Sequence, residues 1–182
     1  MQPIKQLAKI LAELANEEHY LFSIADLKGA MPEQSQGGFK ALIYRGVKDG
    51  LLKRICRGLY LYSAVEYVSG LILFHAAARL RAGELNYISL ETVLSDSGVI
   101  SQIPINWITL MSSGRSHIVN CGAFGHIEFV HTKKLPENLT DQLIYDSHCH
   151  LWRASVALAI KDMQATRRKT DLIDWSAANE FV

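Results

Sequence analysis

The chain has few cysteines, no long apolar run and almost no net charge. Its three cysteines, Cys56, Cys121 and Cys149, are odd in number and far apart, so neither a disulfide framework nor a Cys-x-x-Cys metal pair is expected. The longest apolar run, Val68–Ala78, is interrupted by a histidine and is too short to cross a bilayer. Lysines within the first apolar pattern exclude a signal peptide. We therefore expect a cytoplasmic protein with no membrane partner.

The sequence also lacks the signatures of common catalytic sites. The segment Gly122–Gly125 does not lie between a predicted strand and a helix, as a phosphate-binding glycine loop would. Ser89, His117 and Asp96 have the side chains of a nucleophilic triad, but no nucleophile-elbow motif surrounds the serine. The chain is therefore predicted not to be an enzyme, and no cofactor is expected.

Two short motifs have both a functional and a plain interpretation. In His148-Cys149-His150, the two histidines could bind zinc or copper, with His117, His126 or His131 completing the site. Residues two apart on a helix point in different directions. The structural interpretation is therefore two exposed histidines beside a buried cysteine, and no metal site is predicted. Gly114-Arg115-Ser116 could hold an anion, or it could be an ordinary hairpin turn.

The positive charge is concentrated in one part of the chain. The formal net charge is only +1, which by itself says little about nucleic-acid binding. Residues 1–62, however, carry nine basic and six acidic groups. Within Gln34–Tyr62 there are six basic groups and a single acidic one, Asp49. Any nucleic-acid contact is therefore expected in this segment.

The same segment has the element order of a winged helix-turn-helix. Apolar residues at helical spacing predict a first helix over Pro3–Asn16. Ser23 can cap a second helix, Ile24–Ala30, and Pro32 prevents its continuation. A third helix is predicted from Gln34 or Ser35 to Asp49, with Gly50 at its C-terminus. A hairpin of Leu51–Ile55 and Leu59–Tyr62 follows.

The third predicted helix has one face for the core and one for DNA. Phe39, Leu42, Ile43 and Val47 share the face that should pack on the other helices. The opposite arc carries an amide, an aromatic side chain and cations, which suits a major groove. The hairpin tip would contact phosphates. The predicted DNA-binding residues are Gln34, Lys40, Tyr44, Arg45, Lys48, Lys53, Arg54 and Arg57. A winged helix used only as a protein interface is the alternative.

The remaining chain, 63–182, is predicted to be an α+β domain with a small antiparallel sheet. Helices are expected at Val65–Leu80 and Leu90–Ser97, the first buried through Leu71, Phe74, Ala78 and Leu80 and the second capped by Ser89. Three strand-like segments follow and are predicted to form an antiparallel meander: Trp107–Met111, His117–Cys121 and His126–His131. Helices are then predicted around Thr140–Tyr145 and over His148–Arg168. The whole chain is therefore α+β, with a head at 1–62 and a body at 63–182.

Several blocks resemble the AbiEi-type antitoxins of abortive-infection systems. The segment Gly50–Tyr60 looks like their wing. The segments Tyr87–Ile100, Ile108–Ser116 and Phe124–Thr132 are similar to later blocks of that family, in the same order. The family's next helix is rich in Ala, Glu, Lys and Leu, whereas Leu151–Asp162 has a different composition.

The resemblance implies an antitoxin of a type IV toxin–antitoxin system. Such a protein represses its own operon through the winged helix and antagonises a co-encoded nucleotidyltransferase-like toxin, without needing a stable complex with it. The expected partners are therefore double-stranded operator DNA and, functionally, that toxin. One alternative is a plain repressor whose C-terminal domain dimerises or senses an effector. A second is a metal-dependent enzyme or nuclease, acting at His148 and His150 and delivered by the winged helix.

Overall fold

The computed structural model describes residues 1–101 and 105–182 and divides into two compact units, Met1–Ile72 and Leu73–Val182. The fold class is α+β, as predicted. Each helix in the described part of the chain is too short or too polar to span a membrane.

The N-terminal unit begins with three helices. They are α1 (Pro3–Leu14), α2 (Ile24–Ala30) and α3 (Gln36–Lys48). Ser23 caps α2 as predicted, because its hydroxyl accepts from the Asp26 amide while the Asp26 carboxylate accepts from the Ser23 amide. The Ser35 hydroxyl caps α3 by accepting from the Gly38 amide, without a reciprocal side-chain bond. The three predicted helices are thus confirmed to within two residues at each end.

A three-stranded antiparallel sheet completes this unit. Its strands are β1 (Leu21–Ser23), β2 (Leu52–Cys56) and β3 (Leu59–Tyr62), with β3 in the centre. A register shift between Arg54 and Cys56 bends β2 just before the turn. The hairpin is therefore where the sequence predicts it, with its first strand displaced by one residue.

The core of the N-terminal unit corrects one predicted buried position. Phe39, Leu42 and Ile43 are buried as expected, but Val47 is 38% exposed and Gly46 is buried in its place. A Cβ at Gly46 would lie 3.3 Å from Cδ1 of Leu52. The glycine therefore allows α3 to approach β2 closely, and this close packing leaves the next side chain at the edge of the core.

The C-terminal unit contains a six-stranded mixed sheet in place of the predicted small antiparallel one. The strands are β4 (Asn86–Ile88), β5 (Trp107–Ser112), β6 (His117–Asn120), β7 (His126–His131), β8 (Leu143–Asp146) and β9 (Leu151–Ala154). Their order is β6-β7-β5-β4-β9-β8. The predicted meander is wrong, because β5 pairs in parallel with β7, whereas β6 pairs, among the strands that the structure describes, only with β7.

Four helices accompany this sheet in the described residues: α4 (Ile72–Leu80), α5 (Leu90–Asp96), α6 (Val156–Ala165) and α7 (Trp175–Ala178). Short 3-10 turns lie at Ser69–Leu71, Gly122–Phe124 and Pro136–Asn138. Helices α5 and α6 pack against each other, α5 against β5, and α6 against β9. The apolar residues between these helices and strands form the core of the unit.

Three predicted helices are corrected. The first begins at Ile72 rather than Val65, after a 3-10 turn that contains the poor helix former Gly70. Its buried residues include Leu73 and Ala76, whereas the predicted set, Leu71, Phe74, Ala78 and Leu80, is only partly buried. The segment Thr140–Tyr145 ends in strand β8, not a helix. The long predicted helix His148–Arg168 is strand β9 followed by the shorter α6, because pairing with β4 and β8 overrides the local preference.

The predicted cap of α5 is also wrong. Ser89 makes no capping bond and instead donates its hydroxyl to Asp162 Oδ2 at 2.8 Å. Leu90, the first residue of α5, has φ +58°. The N-terminus of α5 is capped from the sheet, where the hydroxyl of Thr109 accepts from the Thr92 amide at 3.2 Å. A side chain from a distant strand thus replaces the local cap.

Candidate nucleic-acid interface

Helix α3 carries four of the predicted DNA-binding side chains on its solvent side. Lys40, Tyr44, Arg45 and Lys48 are all exposed, and the Tyr44 ring is 73% accessible. Burial of Phe39, Leu42 and Ile43 fixes the rotation of the helix. The helical period then places the intervening positions outward, so the outward face follows directly from the core.

Gln34 has a different role from the other predicted residues. It lies in the turn before α3 and is only half-exposed. Its backbone carbonyl accepts a hydrogen bond from the ammonium group of Lys28, and its backbone amide donates to Met31. These bonds hold the turn between α2 and α3, so Gln34 contributes to the position of α3 as well as to its surface.

The hairpin supplies the remaining three predicted cations. Lys53 and Arg54 are exposed on β2, and Arg57 is exposed in the turn before β3. Gly58 follows Arg57 with φ +79°, a conformation that glycine adopts without strain. Nε of Arg54 donates to the Cys56 carbonyl at 3.3 Å, which holds the arginine along the strand near the turn.

The surface charge on α3 and the hairpin tip is largely unopposed. Within the residues that the structure describes, no carboxylate lies within ion-pair distance of Lys40, Arg45, Lys48 or Arg57. By contrast, Arg153 and Arg168 in the C-terminal unit are each paired with two carboxylates. Exposed cations without acidic neighbours attract a polyanion, and their attraction decreases with salt.

A cleft of about 650 Å³ lies between α2, α3 and the hairpin. Phe39, Ile43 and Tyr60 contribute apolar surface to its lining. Lys28, Gln36, Lys40, Tyr44 and Arg54 add polar and charged groups, and the ammonium of Lys28 lies 5.4 Å from the Phe39 ring centroid. The sequence analysis did not single out Lys28, Gln36 or Tyr60, because they come from different elements and no sequence spacing joins them.

The structure does not bring together the three residues of the hypothetical nucleophilic triad. Ser89 is bonded to Asp162, and Asp96 is ion-paired with Arg153 at 2.7 Å. His117 lies exposed on the edge strand β6. These three residues therefore have separate partners or surroundings and do not form the hypothetical triad.

The His148-Cys149-His150 motif forms a turn before β9. The His150 ring stacks on His75 with centroids 4.4 Å apart, and Nε2 of His75 donates to the His148 carbonyl at 2.6 Å. Cys149 is buried, and burial raises the pKa of its thiol to about 11, with Asp146 adding to the shift. Among residues 1–101 and 105–182, no cluster of three or more metal-ligand side chains is found.

The sequence matches no protein-family model and no curated protein.

Proposed function

We propose that the N-terminal unit is a winged helix-turn-helix that binds double-stranded DNA. Helix α3 would enter the major groove, and the hairpin β2–β3 would lie against the phosphate backbone. The observation that carries this proposal is the set of exposed cations on α3 and at the hairpin turn that lack acidic partners among the described residues.

The arrangement of elements supports the same proposal. The order is helix, strand, two helices and a hairpin, with β1 added to the edge of the hairpin strand β3. The 13 residues of α3 give a rod of about 20 Å at 1.5 Å per residue. Such a rod is long enough to follow a groove while both of its ends remain near phosphates.

The side chains divide into two proposed roles. Lys40, Lys48 and Arg57 would neutralise phosphates and supply affinity that is independent of sequence. Tyr44 and Arg45 would reach base edges, where an arginine makes bidentate contacts with guanine and an aromatic ring contacts the thymine methyl. The half-buried Gln34 would set the entry angle of α3 rather than read a base.

A DNA-binding titration of the full chain tests this proposal. The triple variant Lys53→Ala/Arg54→Ala/Arg57→Ala should bind a labelled duplex from its own promoter region more weakly in a gel shift. The matched control is Lys5→Ala/Lys9→Ala, which removes exposed charge from α1 in the same unit. Binding that is equal in wild type and the hairpin variant, or equally weakened in the control, would refute the proposed interface.

We propose further that the chain represses its own operon and acts as a type IV antitoxin, on the resemblance of its blocks to the AbiEi-type family. The resembling blocks after Tyr87 supply β4, α5, β5 and β7 of the C-terminal unit. No reaction is proposed for the chain. Because the resembling blocks after Tyr87 lie in the C-terminal unit, antitoxicity would come from that unit and be separable from DNA binding.

For an antitoxin of this type we expect a nucleotidyltransferase-like gene beside its own, and co-expression with that gene tests the role. The hairpin variant should still rescue growth, although it no longer represses. If neither the wild type nor the hairpin variant rescues growth, a plain repressor is the better interpretation. Cleavage of DNA or RNA by the purified chain only with a divalent metal would favour the enzyme alternative.

The cleft beside α3 favours a second candidate, a winged helix that docks a protein. Its apolar lining and cationic rim suit an amphipathic acidic helix. The substitution Ile43→Glu would be disruptive to the core, so Val47→Glu, at the exposed edge of the cleft, is the better probe. If Val47→Glu leaves DNA binding intact but abolishes regulation in cells, the cleft serves a protein partner.

A further inference from the structure

One end of the six-stranded sheet collects polar and aromatic side chains from separate segments. The parallel strands β5 and β7 both end there, at Ser112 and His131, which are register partners. Strands β4 and β9 begin at the same end, with Asn86 opposite Ser112. Because β6 lies beyond β7 in the sheet, the loop 113–116 crosses over the end of β7 and is not the predicted hairpin turn. This crossing creates a concave surface.

The first of two adjoining clefts at this end is cationic and has a volume of about 620 Å³. Arg81 is held in it by two hydrogen bonds and a cation–π contact. Its Nη1 donates to Ser112 Oγ at 2.8 Å, its Nη2 donates to the Arg115 carbonyl at 2.6 Å, and its guanidinium lies 3.9 Å from the Phe129 ring centroid. The Arg115 side chain is exposed in the same cleft, and no described carboxylate pairs with it.

Two hydrogen bonds between β7 and the loop orient one more donor of this cleft. Nδ1 of His131 donates to the Gly114 carbonyl at 2.9 Å, because a carbonyl can only accept, and this bond holds the loop over the end of β7. The Ser116 hydroxyl oxygen accepts from the His131 amide at 2.9 Å, so its own proton remains available. Arg115 and Ser116 together provide donors for a phosphate group.

The second cleft is smaller, about 210 Å³, and its lining includes aromatic rings. Tyr145 and Trp152 are register partners on β8 and β9, with ring centroids 5.4 Å apart, an interplanar angle of 69° and both residues about half exposed. The two rings meet edge to face, so a planar heterocycle can stack on one of them, and we assign that role to the larger ring, Trp152.

A buried acceptor without a partner lies in the same cleft. Nδ2 of Asn86 donates to the carbonyls of Arg81 and Glu84 at 2.7 and 3.1 Å, which fixes the orientation of the amide. Its Oδ1 is buried and accepts no hydrogen bond from any residue that the structure describes. Buried acceptors of this kind normally have a donor, and an N–H group on a ligand would supply one.

Arg81 and Glu84 line both clefts and therefore mark their junction. The Glu84 carboxylate accepts from Ser112 Oγ at 3.2 Å and lies 3.7 Å from Nη1 of Arg81, with its side chain 42% exposed. A carboxylate repels phosphate but accepts hydrogen bonds from ribose hydroxyls, the role of an acidic residue in dinucleotide sites. The junction thus suits a sugar.

We propose that this end of the sheet binds a ribonucleotide. The base stacks on Trp152 and donates to Asn86, the ribose hydroxyls bind Glu84, and the phosphate binds Arg115 and Ser116. The loop 113–116 that supplies the phosphate donors leaves the sheet at β5, two positions from β9, which corresponds to about 10 Å at roughly 4.8 Å per strand, and crosses from there over β7. The ligand is either a free nucleotide or one residue of a single RNA strand. The site belongs to the C-terminal unit and does not depend on the proposed DNA binding.

Calorimetric titration of the full chain with ribonucleoside monophosphates tests the proposal. We expect one of the four to bind, with Arg115→Ala weakening it at least tenfold and Glu84→Gln reducing the preference for ribo- over deoxyribonucleotide. Trp152→Leu should weaken a nucleotide but not inorganic phosphate. Lys133→Ala, which removes an exposed cation outside both clefts, is the matched control and should bind normally.

A short oligoribonucleotide distinguishes the two sources of the ligand. Tighter binding of the oligomer, competed by the mononucleotide, assigns the site to RNA, whereas weaker binding assigns it to a free nucleotide. Failure of both to bind overturns the proposal. So does inorganic phosphate binding as tightly as the nucleotide, or equal affinity of wild type and Arg115→Ala.

Discussion

Removing the ammonium group of Lys134 should destabilise the C-terminal unit. Asp162 on α6 is fully buried, and its Oδ1 accepts from Nζ of Lys134 at 2.5 Å. Its Oδ2 accepts from the hydroxyls of Tyr87 and Ser89 at 3.1 and 2.8 Å. Burial, with the Asp162 charge, raises the pKa of Tyr87 far above its ordinary value, so the phenol remains a donor. Lys134→Ala therefore leaves a buried carboxylate with two hydroxyl donors and no counter-charge.

The size of the effect follows from the surroundings of the pair. Losing one partner of a fully buried ion pair costs about 3–5 kcal/mol. The Lys134 side chain is 34% exposed, so water can replace part of its interaction, and the two hydroxyl bonds persist. We therefore expect a loss of about 2–3 kcal/mol, below the fully buried range.

Urea denaturation followed by far-UV circular dichroism measures this loss. Lys133→Ala, one residue earlier and fully on the surface, is the control and should change stability by less than about 0.5 kcal/mol. A double-mutant cycle with Asp162→Asn should give a coupling energy of about 1–3 kcal/mol. A coupling near zero, or equal effects of Lys133→Ala and Lys134→Ala, would refute the reasoning.

Three further predictions concern a cap, a thiol and a carboxylate. Ser23→Ala removes the capping box with Asp26 and should lower the unfolding free energy by about 1 kcal/mol in urea; no change would show that the cap is dispensable. Burial raises the pKa of Cys149 to about 11, so mass spectrometry should find it alkylated near neutral pH only after unfolding. Burial alone would raise the pKa of Glu128, but the bonds from Arg168 outweigh it and hold that pKa below its ordinary value of 4.5. The stability that these bonds contribute is present above pH 4.5 and is lost as the pH falls through the lower pKa of the folded state. Glu128→Gln should therefore flatten the acid side of the profile of melting temperature against pH. An unchanged profile would contradict this.

The N-terminal unit follows closely from the sequence because its signals are local. Ser23 and Ser35 each precede a helix that they cap, and Gly50 adopts φ +77° just after α3. The outward positions of α3 then follow from its buried residues by helical period. The cleft beside α3 does not, since Lys28 and Tyr60 meet there only through the packing of α2 and the hairpin.

The C-terminal unit is less accessible to sequence reasoning because long-range pairing decides it. The composition of Leu151–Ala154 is equally compatible with the first turn of a helix, yet the segment forms a strand between β4 and β8. Ser89 precedes α5 as a good cap would, but Asp162, 73 residues away, takes its hydroxyl. The strand pairing and the Ser89–Asp162 hydrogen bond both join residues far apart in the chain, so no local sequence pattern predicts them. The strand order and the candidate ribonucleotide site are therefore visible only in three dimensions.

The salt dependence of DNA binding tests the central proposal most directly. The logarithm of the association constant of the full chain with a duplex should fall linearly with the logarithm of salt concentration, by about 0.9 for each phosphate contacted. The variant Lys40→Ala/Lys48→Ala should reduce this slope by about 2, whereas Lys5→Ala/Lys9→Ala should leave it unchanged. A slope that is the same in all three proteins, or no binding to a duplex at low salt, would contradict the proposed role of α3.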